Sequence, residues 1–164
     1  MLAIQICPAT ADDLQAINDI YNHYVPCSTC TYQEEPETMD CRRGWFASHG
    51  PLHPITVATV GGDVVGWGSL SPFRERSAYR HTVENSVYVR HTHQRRGIGR
   101  GLLMDLIERA SALGHHTIIA GIDAEQTGSI LLHERLGFRE VAYLPEVGFK
   151  FNRWLHVRYL QLML

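Results

Sequence analysis

The stretch VYVRHTHQRRGIGRGLL, residues 87–103, joins an apolar, strand-like segment to a helical one through a turn with three glycines. A strand that delivers Gly97, Gly99 and Gly101 into the first turn of a helix leaves several N–H groups without intrahelical partners, and the missing Cβ atoms let a ligand approach the backbone. The helix N-terminus carries partial positive charge, and neighbouring arginines add more. The junction therefore predicts an anion site, with phosphate as its natural ligand, rather than a turn that glycine merely tightens.

Hydrophobic periodicity predicts the elements on either side of this junction. Helical spacing runs through 14–24 and 98–113, and more briefly through 39–48 and 129–136. Runs rich in β-branched residues predict strands at 2–7, 55–60, 64–70, 82–89, 116–122, 140–144 and 154–164. Gly61-Gly62-Asp63 is a hairpin signal between two of them. The order β-α-α-β-β-β-α-β-α-β-β predicts an α/β fold, a mixed sheet with helices on both faces.

The strand at 82–89 is expected to have two different faces. Its alternation places Glu84, Ser86 and Tyr88 on one side and the valines at 83, 87 and 89 on the other. We expect the valine face to join the core and the Glu84 face to line a cleft.

Composition excludes several classes of function. With 164 residues, 45% of them hydrophobic, the chain has enough apolar residues for one domain, 1–164, with a core of its own. A net charge of -2 gives no field that favours nucleic acid, and no apolar run is long enough to span a membrane. We therefore expect a cytoplasmic protein. Cys27 and Cys30 have the spacing of a redox or zinc pair, but a zinc site needs four ligands, so no metal is predicted.

The glycine turn does not fit the two common nucleotide motifs. Its third glycine comes one residue too early for G-x-G-x-x-G, and no Gly-Lys-Ser/Thr follows. Gln94-x-x-Gly97-x-Gly99 instead resembles the acetyl-coenzyme A (acetyl-CoA) loop of the GCN5-related N-acetyltransferases, the GNAT superfamily. The resemblance implies that loop amides hold a pyrophosphate and that the preceding strand splays from its neighbour, so that pantetheine lies along its free edge.

The resemblance covers essentially the whole chain. Segments 20–25, 28–32, 76–79, 82–89 and 132–138 are similar to phrases of one GNAT branch, the phosphinothricin and methionine-sulfoximine type amino-acid N-acetyltransferases. This implies acetyl-CoA as co-substrate, a small amine as acceptor and a homodimer with active sites near the subunit interface. The implied cofactor-binding residues are Val87, Tyr88, Val89, Gln94, Arg95, Arg96, Gly97, Ile98, Gly99, Arg100, Gly101 and Gln126. Gln126 departs from the asparagine of many relatives.

Acetyl transfer to an amine needs a base, a donor for the developing oxyanion and a proton for the leaving thiolate. Glu84 is the predicted base, because it lies on the polar face of its strand and matches the branch phrase Thr82-Val83-Glu84. The splayed strand of the superfamily suggests the N–H of Val89 as the oxyanion donor. His133 stands where many relatives have tyrosine, and it either protonates the thiolate or packs.

The acceptor is expected to carry an anion beside its amine. Arg74 and Arg76 precede the Glu84 strand, and a guanidinium binds a carboxylate or phosphinate through paired hydrogen bonds. Tyr32 and Tyr79 are candidate pocket walls, and the loop at 26–36 is a candidate lid. His156 replaces an acidic residue common in relatives, which affects part of this pocket.

Three other functions remain open from the sequence. The first is a GNAT enzyme for another amine, such as a protein N-terminus, a polyamine or an antibiotic. The second is a non-catalytic acyl-CoA sensor, which would bind cofactor without turnover. The third is a redox or zinc module built on Cys27 and Cys30.

Overall fold

The computed structural model describes residues 3–164, so the predicted strand residue Leu2 lies outside the described part. Residues 3–164 form four α-helices: α1 (Leu14–Tyr24), α2 (Met39–Ser48), α3 (Ile98–Ala112) and α4 (Thr127–Arg135). The same described part of the chain forms seven strands: β1 (Ile4–Pro8), β2 (Ile55–Val60), β3 (Asp63–Pro72), β4 (Thr82–Val89), β5 (Thr117–Asp123), β6 (Arg139–Lys150) and β7 (Arg153–Met163). Across residues 3–164, no helix is both long and apolar enough to cross a membrane.

The strands form one mixed sheet with the order β1-β2-β3-β4-β5-β7-β6. Among these seven described strands, the β4–β5 pair alone is parallel, and all other neighbours are antiparallel. Helix α1 packs on one face through Leu14, Ile17 and Ile20. Helices α3 and α4 cover the other face, where Leu106 and Ile130 share a cluster with residues of β4, β5 and β7. The predicted α/β fold with helices on both faces is therefore confirmed.

The element order agrees with the prediction, and the largest boundary error is in β6. The sequence predicted a strand that ends at Leu144, whereas β6 continues to Lys150. Its register with β7 shifts between Leu144 and Gly148, and Glu146 there has φ +53°. A bulge next to Pro145 interrupts the alternation that marks a strand, although β7 supports pairing on both sides of it.

The central strand β4 leaves one of its neighbours halfway along its length. It pairs with β3 from Val83 to Val89, but with β5 only from Thr82 to Glu84. Beyond Glu84, β5 continues along β7 instead. The edge of β4 from residue 85 to residue 89 therefore faces an opening in the sheet, as the predicted splay requires.

The prediction that the two faces of β4 divide into core and cleft is only partly correct. Tyr88, predicted for the cleft face, packs on Trp67 with ring centroids 4.9 Å apart. Asn85, on the valine face, is buried against His133. The sequence alternation identified the faces, but the cleft forms along the unpaired edge of the strand and not on one face.

Leu106 and Leu131 offer a matched test of the core. Leu106 on α3 is fully buried, whereas Leu131 on α4 is 50% exposed. We expect Leu106→Ala to lower the free energy of unfolding by about 2–5 kcal/mol, since it removes apolar contacts and leaves a cavity. Leu131→Ala is expected to change it by about 0.5 kcal/mol or less. Urea denaturation of both variants checks this, and equal losses would contradict the assigned core.

Candidate active site

A cleft of about 870 Å³ opens where β4 leaves β5. Its walls are the free edge of β4, the loop into α3, and the end of β5 with the start of α4. The predicted site residues among its walls are Val87, Tyr88, Val89, Gln94, Arg95, Gly97, Ile98, Gly99, Arg100, Gln126 and His133. The structure thus brings most of the predicted cofactor set together around one cavity.

The glycine turn has the backbone geometry expected for an anion site. Gly97 has φ +83°, which favours glycine, and its carbonyl accepts the first helical hydrogen bond, from Gly101 N–H at 2.9 Å. The amides of residues 98–100 precede that bond and lie at the positive end of α3. The side chains of Arg95 and Arg100 are exposed beside them. This end of the cleft therefore favours phosphate groups.

Arg96 and Gly101 were predicted with this set but do not line the cleft. A Cβ atom on Gly101 would come within 3.0 Å of the Ile6 side chain, so this glycine allows α3 to approach β1. The third glycine of the motif therefore has a packing role in the structure.

The backbone groups of the free edge can be identified from the β3–β4 ladder. Arg90 N–H donates to Val65 O at 2.8 Å, so the amide of residue 90 points toward β3. Successive amides of a strand point to opposite sides. The N–H groups of Asn85, Val87 and Val89 consequently face the opening, where a linear ligand with amide groups can bind as a strand would.

Tyr24 closes one end of this edge. Its hydroxyl donates to Val89 O and accepts a hydrogen bond from Gln94 Nε2 at 2.7 Å. Burial raises the pKa of Tyr24, which keeps the phenol protonated. The end of α1, the end of β4 and the glycine turn are therefore held together by one hydroxyl.

Glu84 is the last residue of β4 that pairs with β5, and it lies at the vertex of the opening. Its carboxylate is near Gly121, where an added Cβ would come within 3.2 Å of Glu84 Oε1 and 3.3 Å of the Tyr159 ring. Burial raises the pKa of Glu84, and the positive charge of Arg74 partly opposes this. A carboxylate with a raised pKa and a nearby gap in the sheet suits a general base.

His133 is buried, and both of its ring nitrogens have partners. Nδ1 lies 2.8 Å from Ser129 O, which can only accept, so Nδ1 carries the proton. Nε2 lies 3.0 Å from Asn85 Nδ2 and accepts from it. Burial also lowers the pKa of His133. The ring is therefore neutral, and Asn85 Oδ1 stays buried without a partner among residues 3–164.

The predicted acceptor residues occupy two separate regions. Arg74, Arg76 and Tyr79 are exposed in the loop before β4, and the Arg74 guanidinium lies over the Phe73 ring. Tyr32 is half-buried in the 26–36 loop and donates to Asp123 Oδ2 at 2.6 Å. None of these four side chains lines the large cleft. They lie outside the cavity formed by the β4 edge.

The cysteine pair is not arranged as a metal centre. Cys27 Sγ donates to His23 O, and burial raises the pKa of Cys30, which favours its thiol form. Zinc binds the thiolate. No three metal-ligating side chains come together in the part of the chain that the structure describes.

Sequence reasoning missed three residues of the site: Tyr24, Asn85 and Asp123. Asn85 could have been identified, because asparagine is depleted in strands and this one interrupts a valine face. Tyr24 fits the apolar stripe of α1, and Asp123 ends a strand where a polar residue is common. The roles of Tyr24 and Asp123 follow from hydrogen bonds with Val89 and Thr29, which are far away in the chain.

Comparisons with known proteins agree with this geometry. Residues 17–138 match the profile of the Acetyltransferase (GNAT) family. The chain is 40% identical over 153 residues to an L-methionine sulfoximine/L-methionine sulfone acetyltransferase of Salmonella typhimurium, with 93% of this chain and 90% of the relative covered.

Two solved structures are also similar. One is a GNAT superfamily phosphinothricin acetyltransferase from Sinorhizobium meliloti in complex with acetyl-CoA, with TM-score 0.95 and 36% identity over 98% of this chain and 88% of the other. The second is a ribosomal-protein-alanine N-acetyltransferase from Brucella melitensis, with TM-score 0.95 and 40% identity over 98% of this chain and 99% of the other.

Proposed function

The chain belongs to the acetyltransferase (GNAT) family and is an acetyl-CoA-dependent N-acetyltransferase, and from this premise we propose that its acceptor is a small amino acid or a close analogue. Phosphinothricin, methionine sulfoximine and methionine sulfone are the analogues that we favour. Two relatives that match over nine tenths of the chain are named for acceptors of this kind, methionine sulfoximine or sulfone in one and phosphinothricin in the other.

One observation supports the cofactor assignment above all others: the free edge of β4 leads directly into the glycine turn of α3. Amides along the edge suit the pantetheine arm, and amides of residues 98–100 suit the pyrophosphate. The cleft volume of about 870 Å³ fits a large cofactor. When bound, acetyl-CoA supplies a thioester that an amine can attack.

Glu84 is the proposed base for that attack. It accepts the proton of the acceptor ammonium, directly or through water, so that a neutral amine reaches the thioester carbon. Its raised pKa brings it closer to the working pH than an ordinary glutamate. The position of Glu84 at the vertex of the opening supports this assignment.

The N–H of Val89 faces the cleft as predicted, but its distance from Glu84 argues for a different role. Five residues of strand separate the two by about 16 Å, whereas Val87 is about 10 Å from Glu84 along the strand. The Val89 carbonyl is also occupied by Tyr24. We therefore propose Val87 N–H as the oxyanion donor and Val89 N–H as a contact for pantetheine.

His133 is proposed to position the cleft wall and not to protonate the thiolate. Its only N–H is donated to Ser129 O, and its other nitrogen accepts from Asn85. A neutral ring with both nitrogens used has no proton to give toward the cleft. We infer that it holds the Asn85 side chain beneath the free edge.

For the acceptor, we propose that Arg74 and Arg76 bind its carboxylate or phosphinate. Both guanidinium groups are exposed, and the charge of Arg74 acts on the Glu84 carboxylate. An arginine close enough to act on Glu84 can bind the acceptor anion and leave the acceptor amine beside the base. Tyr79 is proposed as a wall beside these arginines, and Tyr32, in the separate region of the 26–36 loop, as a second wall of the acceptor site.

A second acceptor class has one specific observation in its favour. The Brucella melitensis structure, named for ribosomal-protein alanine, is as similar to this chain as the amino-acid acetyltransferases are. An N-terminal alanine also presents an amine, although it lacks the adjacent free carboxylate that the arginines would bind. The non-catalytic sensor considered from the sequence would instead show cofactor binding that Glu84 does not affect, and the acetyltransferase relatives argue against it.

We further propose a cytoplasmic homodimer. Six large apolar side chains of the β6–β7 hairpin are between 46% and 57% exposed: Val141, Tyr143, Val147, Phe149, Phe151 and Trp154. Strand β6 is also the edge of the sheet, and a long apolar edge needs a cover. A second copy of the chain supplies one.

The four cysteines are free thiols, which suits a reducing compartment.

The acceptor and the base are tested together by thiol release from acetyl-CoA. We expect turnover with methionine sulfoximine, methionine sulfone or phosphinothricin, and little with spermidine, an aminoglycoside or an alanine-ended peptide. Glu84→Gln should lower kcat by about 10²–10⁴-fold because the ammonium loses its base. Its Kd for acetyl-CoA, from titration calorimetry, should not change.

Glu108→Gln is the control, because Glu108 is exposed on α3 away from the cleft. Turnover of the peptide alone would replace the proposed acceptor with a protein N-terminus. Acetyl-CoA binding without turnover of any amine would support the sensor.

Arg74→Gln tests the charge beside the base. Arg74 lowers the pKa of Glu84, so its removal raises that pKa, and Glu84 then becomes protonated at a higher pH. We expect the acid limb of the kcat/KM profile to move to higher pH and the acceptor KM to rise. Arg80→Gln is the matched control, because Arg80 is exposed in the same loop and donates only to Ser77 O. An unmoved acid limb in Arg74→Gln would contradict the assignment.

Phe149→Glu tests the homodimer. A charge in the exposed apolar surface of the hairpin should shift the chain from dimer to monomer in sedimentation equilibrium. Leu52→Glu is the control, since Leu52 is equally exposed but lies outside the hairpin. A wild-type protein that sediments as a monomer would refute the proposal.

A further inference from the structure

Asp123, at the end of β5, is a buried carboxylate whose contacts are not explained by acetyl transfer as described above. Its residue is 6% exposed, and it takes no part in the ion pairs formed among residues 3–164. A buried charge without a cation is unfavourable unless hydrogen-bond donors surround it. Three donors do so here, and two of them come from the 26–36 loop.

The donors are arranged on both carboxylate oxygens. Oδ1 accepts from the Thr29 hydroxyl and from the Glu125 N–H, each at 3.0 Å. Oδ2 accepts from the Tyr32 hydroxyl at 2.6 Å. Thr29 also accepts from Gln126 Nε2 at 3.0 Å, so the amide predicted to contact the cofactor is directed at the loop. More than 90 residues of chain separate the loop from Asp123.

The loop is held from a second side by β6. Lys150, 3% exposed, donates from Nζ to Ser28 O at 2.9 Å and to Thr31 O at 2.8 Å. The Tyr32 ring lies against Gly148, where a Cβ atom would come within 2.4 Å of it. The hydrogen bonds from Lys150 and the contact of Tyr32 with Gly148 thus hold loop residues 28–32 against β6.

The position of the loop matters because it borders the cleft. Ser28 and Cys30 line the cavity together with Asp123. The cofactor contacts argued above, by contrast, come from β4 and the start of α3. A shift of the loop would change the acceptor side of the cleft and leave the phosphate end intact.

We propose that Asp123 is a positioning residue that fixes the 26–36 loop through Thr29 and Tyr32, and so determines how the acceptor is held while leaving acetyl-CoA binding unaffected. The inference rests on the proposed acetyl transfer to an amino acid. It assigns Asp123 no contact with reacting atoms.

The test compares Asp123→Ala with Asp123→Asn. Alanine leaves two buried hydroxyls without their acceptor. Asparagine can keep Oδ1 for Thr29 and Glu125, while its amide donates to Tyr32, whose proton then turns to His156 O, 3.3 Å away. We expect Asp123→Ala to raise the acceptor KM about tenfold or more, with the acetyl-CoA Kd within about twofold of wild type. Asp123→Asn should restore most of the KM.

Hydrogen exchange gives a readout that needs no acceptor. Amides of 26–36 should exchange at least about tenfold faster in Asp123→Ala than in wild type, and near the wild-type rate in Asp123→Asn. If Asp123→Ala folds poorly, Tyr32→Phe is the variant to measure instead. It keeps the ring on Gly148 and should show a smaller increase in loop exchange. Asp40→Ala is the control, because that carboxylate is exposed on α2.

Unchanged loop exchange in Asp123→Ala would overturn the proposal. A rise in acceptor KM matched by an equal rise in acetyl-CoA Kd would overturn it too, since the effect would then not be specific to the acceptor. If the wild-type protein acetylates no amino acid, the proposed function fails, and the exchange comparison alone decides whether Asp123 anchors the loop.

Discussion

The end of pairing between β4 and β5 at Glu84 and Ile119 is the constraint on which the site depends. A strand that loses a neighbour must leave its N–H and C=O groups to another partner, because unpaired backbone groups inside a protein are costly. In this protein the free edge opens into a cleft that ends at the positive terminus of α3. One break in a sheet therefore creates an extended backbone surface and an anion site in line with it.

The cofactor half of this site could be predicted from the sequence because it is local in the chain. The strand, the turn and the helix of residues 82–113 follow one another in the chain. The positions of the glycines and arginines are therefore enough to predict the anion-binding turn between the strand and the helix. Even so, the glycine and arginine spacing assigned more residues to the phosphate site than line the cleft. Gly101 belongs to the packing of α3 on β1, and Arg96 does not line the cleft. Periodicity also predicted the fold, since the core faces of α1 and α3 follow a helical repeat.

The acceptor half could not be predicted in the same way, because it is made by contacts between distant segments. Nothing near Tyr32 in the sequence indicates that its hydroxyl binds Asp123, or that β6 leaves room for its ring at Gly148. The role of His133 likewise depends on Asn85, which comes from another element. The sequence identified Tyr32 and His133 as candidate residues. It did not identify the hydrogen-bond partners that determine the position of Tyr32 and the protonation of His133.

The two halves also differ in the atoms that they use. We propose that acetyl-CoA is bound mainly by backbone amides, whose positions follow from the sheet and from α3, so side-chain changes there should have a limited effect on the shape of the site. In the same proposal the acceptor is bound by side chains on loops, and the loop at 28–32 is held by a few buried hydrogen bonds around Asp123 and Lys150. Because each of those bonds joins a loop to a strand end, we expect that a single substitution can move a wall of the proposed acceptor pocket without disturbing the cofactor. The same scaffold can thus keep one donor and change its acceptor.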